Sequence, residues 1–217
     1  MKILAAIVIS LLFSSCKQNK ALFIEKNPKE TGIHFMNSVV ENELLNFFTY
    51  QYIYNGAGVA VGDIDNDGWE DIFFVSNMKG GNKLYRNKHN FQFDDITAIA
   101  SVKGRSDWST GVTMVDINGD GWLDIYVSTV SIDGLLNSSN ELYINNKNGS
   151  FTESANKYGL NFKGHCTQSS FFDFDNDGDL DCLLLNHSRE YAGDYQTSQL
   201  RKKMDAQSGE KLLQNNN

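Results

Sequence analysis

Three nine-residue windows carry the same acidic pattern, and no other feature limits the fold of this chain so tightly. They read Asp63-x-Asp65-x-Asp67-Gly68-Trp69-x-Asp71, Asp116-x-Asn118-x-Asp120-Gly121-Trp122-x-Asp124 and Asp173-x-Asp175-x-Asp177-Gly178-Asp179-x-Asp181. Each lies inside a longer matching passage, at 57–77, 109–129 and 166–186. The leading aspartates are 53 and 57 residues apart. A second string recurs downstream as NKLYRN (82–87), NELYINN (140–146) and, more weakly, GEKLLQNNN (209–217). A third recurs as FQFDDIT (91–97) and GSFTESA (149–155). Self-similarity at this period marks a repeat architecture.

Each unit predicts several short strands. One apolar, β-branched segment enters the acidic window and a second leaves it, at Ile72–Val75, Ile125–Val130 and Leu183–Leu185. The LY segment makes a third strand and the F-x-F or S-F-T segment a fourth. Four strands in about 55 residues, joined by Gly and Asn turns, is the size of one β-propeller blade. Stacked helix pairs would need apolar residues at a 3.6-residue period, which these windows lack. The fold class is therefore all-β: an incomplete propeller of about three blades, over 51–107, 108–165 and 166–217. The third unit stops where its fourth strand is due, so we expect a fragment of a longer ring. The helical-looking stretch near Asn42–Phe48 precedes the first window and is expected to form a short turn on the entry.

Alternate carboxylates in a tight loop point inward together, and glycine at position six permits the sharp turn. A hard cation such as Ca²⁺ takes six to eight oxygens in a tolerant geometry. Positions one, three, five and nine supply side-chain oxygens. Position seven, where Trp69, Trp122 and Asp179 stand, supplies a backbone carbonyl and so tolerates different side chains. Without a cation, carboxylates this close repel one another. An Asp/Gly hairpin that needs no metal is the plainer alternative, but the pattern recurs three times in register. An EF-hand would need a bidentate Glu at position twelve between flanking helices. Position twelve is instead Phe74, Val127 and Leu184, in strand-like runs. About three Ca²⁺ sites are expected, and three ions would move the formal charge from −8 to −2. That acidic balance argues against nucleic acid or anionic lipid as a partner.

The first sixteen residues predict an export signal. Lys2 precedes an eleven-residue run, Ile3–Phe13, apolar apart from Ser10, and Ser14-Ser15-Cys16 follows. As a helix that run covers roughly 16 Å, about half a bilayer core. Small residues before Cys16 suggest a lipoprotein box with Cys16 acylated, although Phe13 stands where Leu is usual. Residues 17–30 are polar, hold the only proline, Pro28, and predict a tether to the domain at 31–217. Cys166 and Cys182 remain. In a hairpin centred on residue 177, Cys182 faces residue 172 and Cys166 faces 188, some 20 Å apart and beyond disulfide reach. In the same register His187 faces residue 167, making it a diagonal neighbour of His165. Packed histidines are the simpler reading there than a transition-metal site.

With these residues laid out, the chain resembles the FG-GAP/VCBS repeat proteins, whose propellers are similar to the integrin α head. It looks closer still to exported bacterial proteins with ASPIC/UnbV-type ends and to cartilage-acidic-protein-like proteins. GVAVGDIDNDGWEDIFFVSN, NKLYRN, FDDIT and WSTGVTMVDINGDGWLDIYVS carry the resemblance, over roughly 31–217. It implies a seven-bladed ring with calcium held at Asp63, Asp65, Asp67 and Asp71, at Asp116, Asn118, Asp120 and Asp124, and at Asp173, Asp175, Asp177 and Asp181. Asn118 offers only a carbonyl oxygen, so the second site is expected to be the weaker.

No Gly-rich phosphate loop or nucleophile–base spacing stands out, so no catalytic residue is assigned. The expected function is an exported, lipid-anchored calcium-binding module for adhesion at the cell surface, facing an extracellular protein or a glycan. A bacterial outer-membrane location is expected, with a periplasmic or secreted form as the alternative. A non-catalytic piece of an extracellular enzyme, such as a polysaccharide-degrading propeller, is the competing reading, and a degenerate copy is the third.

Overall fold

The computed structural model describes residues 21–188 and 206–216. The signal at 1–16, with Cys16, and the first tether residues lie outside the described residues. Among the described residues no helix is long and apolar enough to cross a membrane.

Three antiparallel sheets follow one another along the chain. The first is β1 (Val59–Gly62), β2 (Asp71–Phe74), β3 (Lys83–Asn87) and β4 (Phe93–Asp95), in that spatial order. The second repeats it with β5 (Ser109–Val115), β6 (Asp124–Thr129), β7 (Glu141–Asn145) and β8 (Phe151–Glu153). The third has β9 (Cys166–Phe172), β10 (Asp181–Asn186) and β11 (Lys211–Leu213), ordered β11-β10-β9. Among the described residues two four-residue helices complete the elements, α1 (Pro28–Thr31) and α2 (Thr97–Ala100). The helical-looking stretch at Asn42–Phe48 forms bends and a turn on the entry, as expected. Asn42 Oδ1 accepts the amides of Leu44 and Leu45, and Asn46 Oδ1 those of Phe48 and Thr49, so side chains take amides that a helix would bond to carbonyls.

The sheets stack face to face, as blades of an incomplete propeller do. β1 lies against β5 and β5 against β9. One core fills the first gap, with Phe73, Val75, Leu84, Ile96 and Val102 meeting Val112, Ile125, Val127 and Tyr143. A second fills the next gap, where Tyr126, Leu142, Ala155 and Leu160 meet Cys166, Cys182 and Leu184. β6 shows why its run is apolar without alternation. Ile125 and Val127 serve one core and Tyr126 the other, so all six residues are buried. Among the described residues β10 has a neighbouring sheet on one face only, and Leu183 and Leu185 stay exposed on the other.

The third hairpin corrects the expected register by one residue. Its window bridges Phe172 to Asp181, leaving an eight-residue loop. An even loop has its centre between residues, so Cys182 pairs with Phe171 rather than residue 172. A bulge then puts Asn186 opposite Cys166, and the His187 amide bonds the His165 carbonyl at 3.0 Å. The histidine rings are neighbours, 5.1 Å between centroids. Both cysteines are buried and free.

Candidate metal centre

The three acidic windows all connect the first two strands of a sheet, and their internal bonding repeats almost atom for atom. Asp63 accepts the amides of Asp67 and Gly68, at 3.1 and 2.8 Å, one on each oxygen. Asp116 does the same with Asp120 and Gly121, and Asp173 with Asp177 and Gly178. Position five takes the amide of position seven, so Trp69, Trp122 and Asp179 each donate to the aspartate two residues earlier. The backbone must enter the left-handed region twice per loop. Position six is Gly68, Gly121 or Gly178, at φ 87°, 84° and 96°; position four is Asn66, Gly119 or Asn176, at 56°, 67° and 61°. Asn and Gly tolerate that region best, so position four was a readable signal beside the glycine at six.

Position nine is the first residue of the exit strand, and it is buried: Asp71, Asp124 and Asp181 are 1%, 0% and 2% exposed. One oxygen of each accepts the amide of position two, from Ile64, Ile117 and Phe174. The other accepts an amide from the third strand or its end, from Asn87, Asn145 and Asn215, at 2.8 Å each time. Burial raises the Asp71 and Asp124 carboxyls to about 6, against the opposing pull of these amides. The ninth aspartate therefore ties loop, exit strand and third strand together, and Asp71 also faces the acidic cluster of its loop.

Asp63, Asp65 and Asp71 bring one carboxylate oxygen each within 4.8 Å of one another, and Asp173, Asp175 and Asp177 do likewise. Asp65 Oδ1 is buried without a hydrogen-bond partner, and burial, then the Asp67 and Asp63 charges, raises its carboxyl. A buried oxygen without a hydrogen-bond partner, facing other carboxylates, fits a cation ligand. The donors are all oxygen, which suits a hard ion and not a thiophilic one. In the second loop Asn118 Oδ1 accepts the Asp120 amide at 3.1 Å, and Lys147 pairs with Asp120 at 3.2 Å. In the third, Gln214 donates to Asp175 at 2.6 Å. Trp69 stands half exposed, edge-on to His89 at 4.3 Å.

A model of FG-GAP-like repeats matches residues 63–127 and 130–184, more than half of the chain and all three loops. The chain belongs to the FG-GAP-like repeat family. Cartilage acidic protein 1 of Xenopus tropicalis is 31% identical over 166 residues, 71% of this chain and 22% of that protein. The mouse protein of the same name is 36% identical over 89 residues, 41% of this chain and 13% of its own length. This FG-GAP-like chain thus spans about a fifth of the frog relative and less of the mouse one.

Sequence reasoning passed over Asn87, Asn145 and Asn215 as site residues. Their side chains also bond position eight, the carbonyls of Glu70, Leu123 and Leu180. The signal was present, because NKLYRN, NELYINN and KLLQNNN all place Asn after the LY or LL pair.

Proposed function

We propose that this FG-GAP-like chain is part of an exported, non-catalytic binding module whose blades are stiffened by Ca²⁺ in the acidic loops. The orphaned Asp65 oxygen among converging carboxylates carries the reading. Asp63, Asp65, Asp67 and Asp71 would hold the first ion, with Asp116, Asn118, Asp120 and Asp124, then Asp173, Asp175, Asp177 and Asp181, holding the others. Position seven, at Trp69, Trp122 and Asp179, would add its carbonyl. A bound divalent ion supplies charge neutralisation. The chain itself supplies the rest: position one braces the turn through its amides, and position nine anchors the loop to two strands.

Export is supported by the charged, apolar and small-residue order of residues 2–16 and by relatives named for cartilage, an extracellular tissue. Acylation at Cys16 would add a membrane anchor, placing the module on a bacterial cell surface. An extracellular protein or glycan is the partner we infer, bound by loops that the metal holds still. Thermal melting of the intact chain tests the metal. The midpoint should rise with millimolar Ca²⁺ and return with chelator; a midpoint indifferent to both removes calcium from the reading.

A further inference from the structure

At the strand ends opposite the acidic loops, three sheets converge on a second site. Its floor lies at the starts of the innermost strands, at Gly58, Thr110 and Thr167, and its wall includes Trp108 and His187. The entry segment supplies Tyr50, Tyr52 and Asn55. The cavity holds about 240 Å³, below the roughly 300 Å³ at which pockets for drug-sized ligands begin. It has room for one ring and not for a chain.

The wall is built of rings in mutual contact. Tyr50 packs edge-on against the buried Trp108 at 5.7 Å, and its hydroxyl meets His187 Nε2 at 3.3 Å. Tyr52 stacks on the His187 ring at 4.4 Å while staying partly exposed. Thr110 and Thr167 already donate to carbonyls, at Cys166 and Leu185 among others, which leaves their oxygens as acceptors. The Asn55 side chain and the Tyr52 hydroxyl make no hydrogen bond among the described residues, so both are uncommitted at the rim. None of the described lining residues is Asp, Glu, Lys or Arg. Burial, then the adjacent His165, lowers His187 to about 4, so its ring is neutral at physiological pH.

We propose that this cavity binds one neutral, hydroxyl-rich ring, a hexopyranose residue of a glycan, stacked against the aromatic wall. Aromatic faces suit the C–H face of a sugar, and uncommitted amide and hydroxyl groups suit its oxygens. An uncharged lining offers nothing to offset the desolvation of an ionic ligand. The proposal deepens the binding-module reading, on which it rests, by naming the ligand class.

Saturation-transfer NMR on the intact chain with methyl glucopyranoside and methyl galactopyranoside tests it, with methyl glucuronide as the charged control. At least one neutral glycoside should give transfer. Its affinity should fall about tenfold in Tyr52→Ala, the scale of one lost stacking contact, and also fall in Asn55→Ala, at an exposed position that does not support the core. No transfer from either neutral glycoside, undiminished affinity in both variants, or tighter binding of the glucuronide overturns the proposal. Calcium melts on the same samples separate the two readings. Glycoside binding with a calcium-indifferent midpoint removes only the metal, and a calcium-raised midpoint without glycoside binding removes only the sugar.

Discussion

The side-chain amide of Asn145 donates to the main-chain carbonyl of Ile64 at 2.8 Å, joining β7 of the second sheet to the acidic loop of the first. The same group reaches Leu123 in its own sheet at 3.1 Å. Asn145 is buried, so removing its amide leaves the buried Ile64 carbonyl, and the half-buried Leu123 carbonyl, without this donor. The side-chain amide of Asn87, its counterpart one repeat earlier, donates to the Glu70 carbonyl within its own sheet and on an exposed edge. Asn145→Ala should cost about 1–3 kcal/mol, and Asn87→Ala clearly less. Urea unfolding of both variants checks the order, and equal costs would show that the inter-sheet bond adds nothing.

The acidic loops should answer to single charges. Asp65→Asn relieves repulsion around an orphaned oxygen, so the calcium-free protein should melt at or above the parent while its calcium response shrinks. Asn118→Asp restores the carboxylate that the second loop lacks. It should tighten calcium at that loop by on the order of tenfold and lower calcium-free stability. Calorimetric titration with paired melts reads both. The metal assignment fails if Asn118→Asp leaves the calcium isotherm unchanged.

Most of the strand plan was legible because each strand carries its own local signal. The windows marked β1–β2, β5–β6 and β9–β10, and the LY and S-F-T strings marked the outer strands. The exception in the third hairpin came from loop parity and a bulge, which a single reading frame about residue 177 does not contain. The candidate site was legible where ligand-type side chains repeat. What stayed hidden were groups acting through long-range geometry. Asp71, Asp124 and Asp181 read as metal ligands, yet their first visible work is to accept amides from strands up to 34 residues away. The aromatic cavity was hidden for a similar reason, since Tyr52 and His187 meet only after three sheets stack.

Gly111 offers a test of that stacking. A Cβ there would sit 2.3 Å from the Thr167 carbonyl oxygen and 3.1 Å from the Gln168 Cα, so the backbone of the neighbouring inner strand would have to move. Gly119 has positive φ but nothing within 4 Å of a Cβ. Gly119→Ala should cost about 1–2 kcal/mol, the strain of the left-handed backbone alone. Gly111→Ala should exceed it, at about 2–4 kcal/mol, because β5 and β9 must separate. Denaturation midpoints and slopes decide; a Gly111→Ala variant as stable as Gly119→Ala would mean the inner strands are not closely packed.

His187 gives the fold a measurable response to acid. Its folded-state value is lowered to about 4, against about 6.5 for an unperturbed histidine. The folded protein therefore disfavours the proton, and between these values the unfolded chain binds more of it. Stability from this residue is complete above about pH 6.5, falls as pH drops towards 4, and changes no further below that. Partial exposure softens the effect to about 1–2 kcal/mol across the window. Asp71 and Asp124, raised to about 6, titrate in part of the same range, so the informative quantity is the difference between the parent and His187→Gln. That difference should grow between pH 4 and 6.5 in favour of the parent at the upper end. Parallel curves for the two proteins would place His187 in water rather than against Tyr50 and Tyr52.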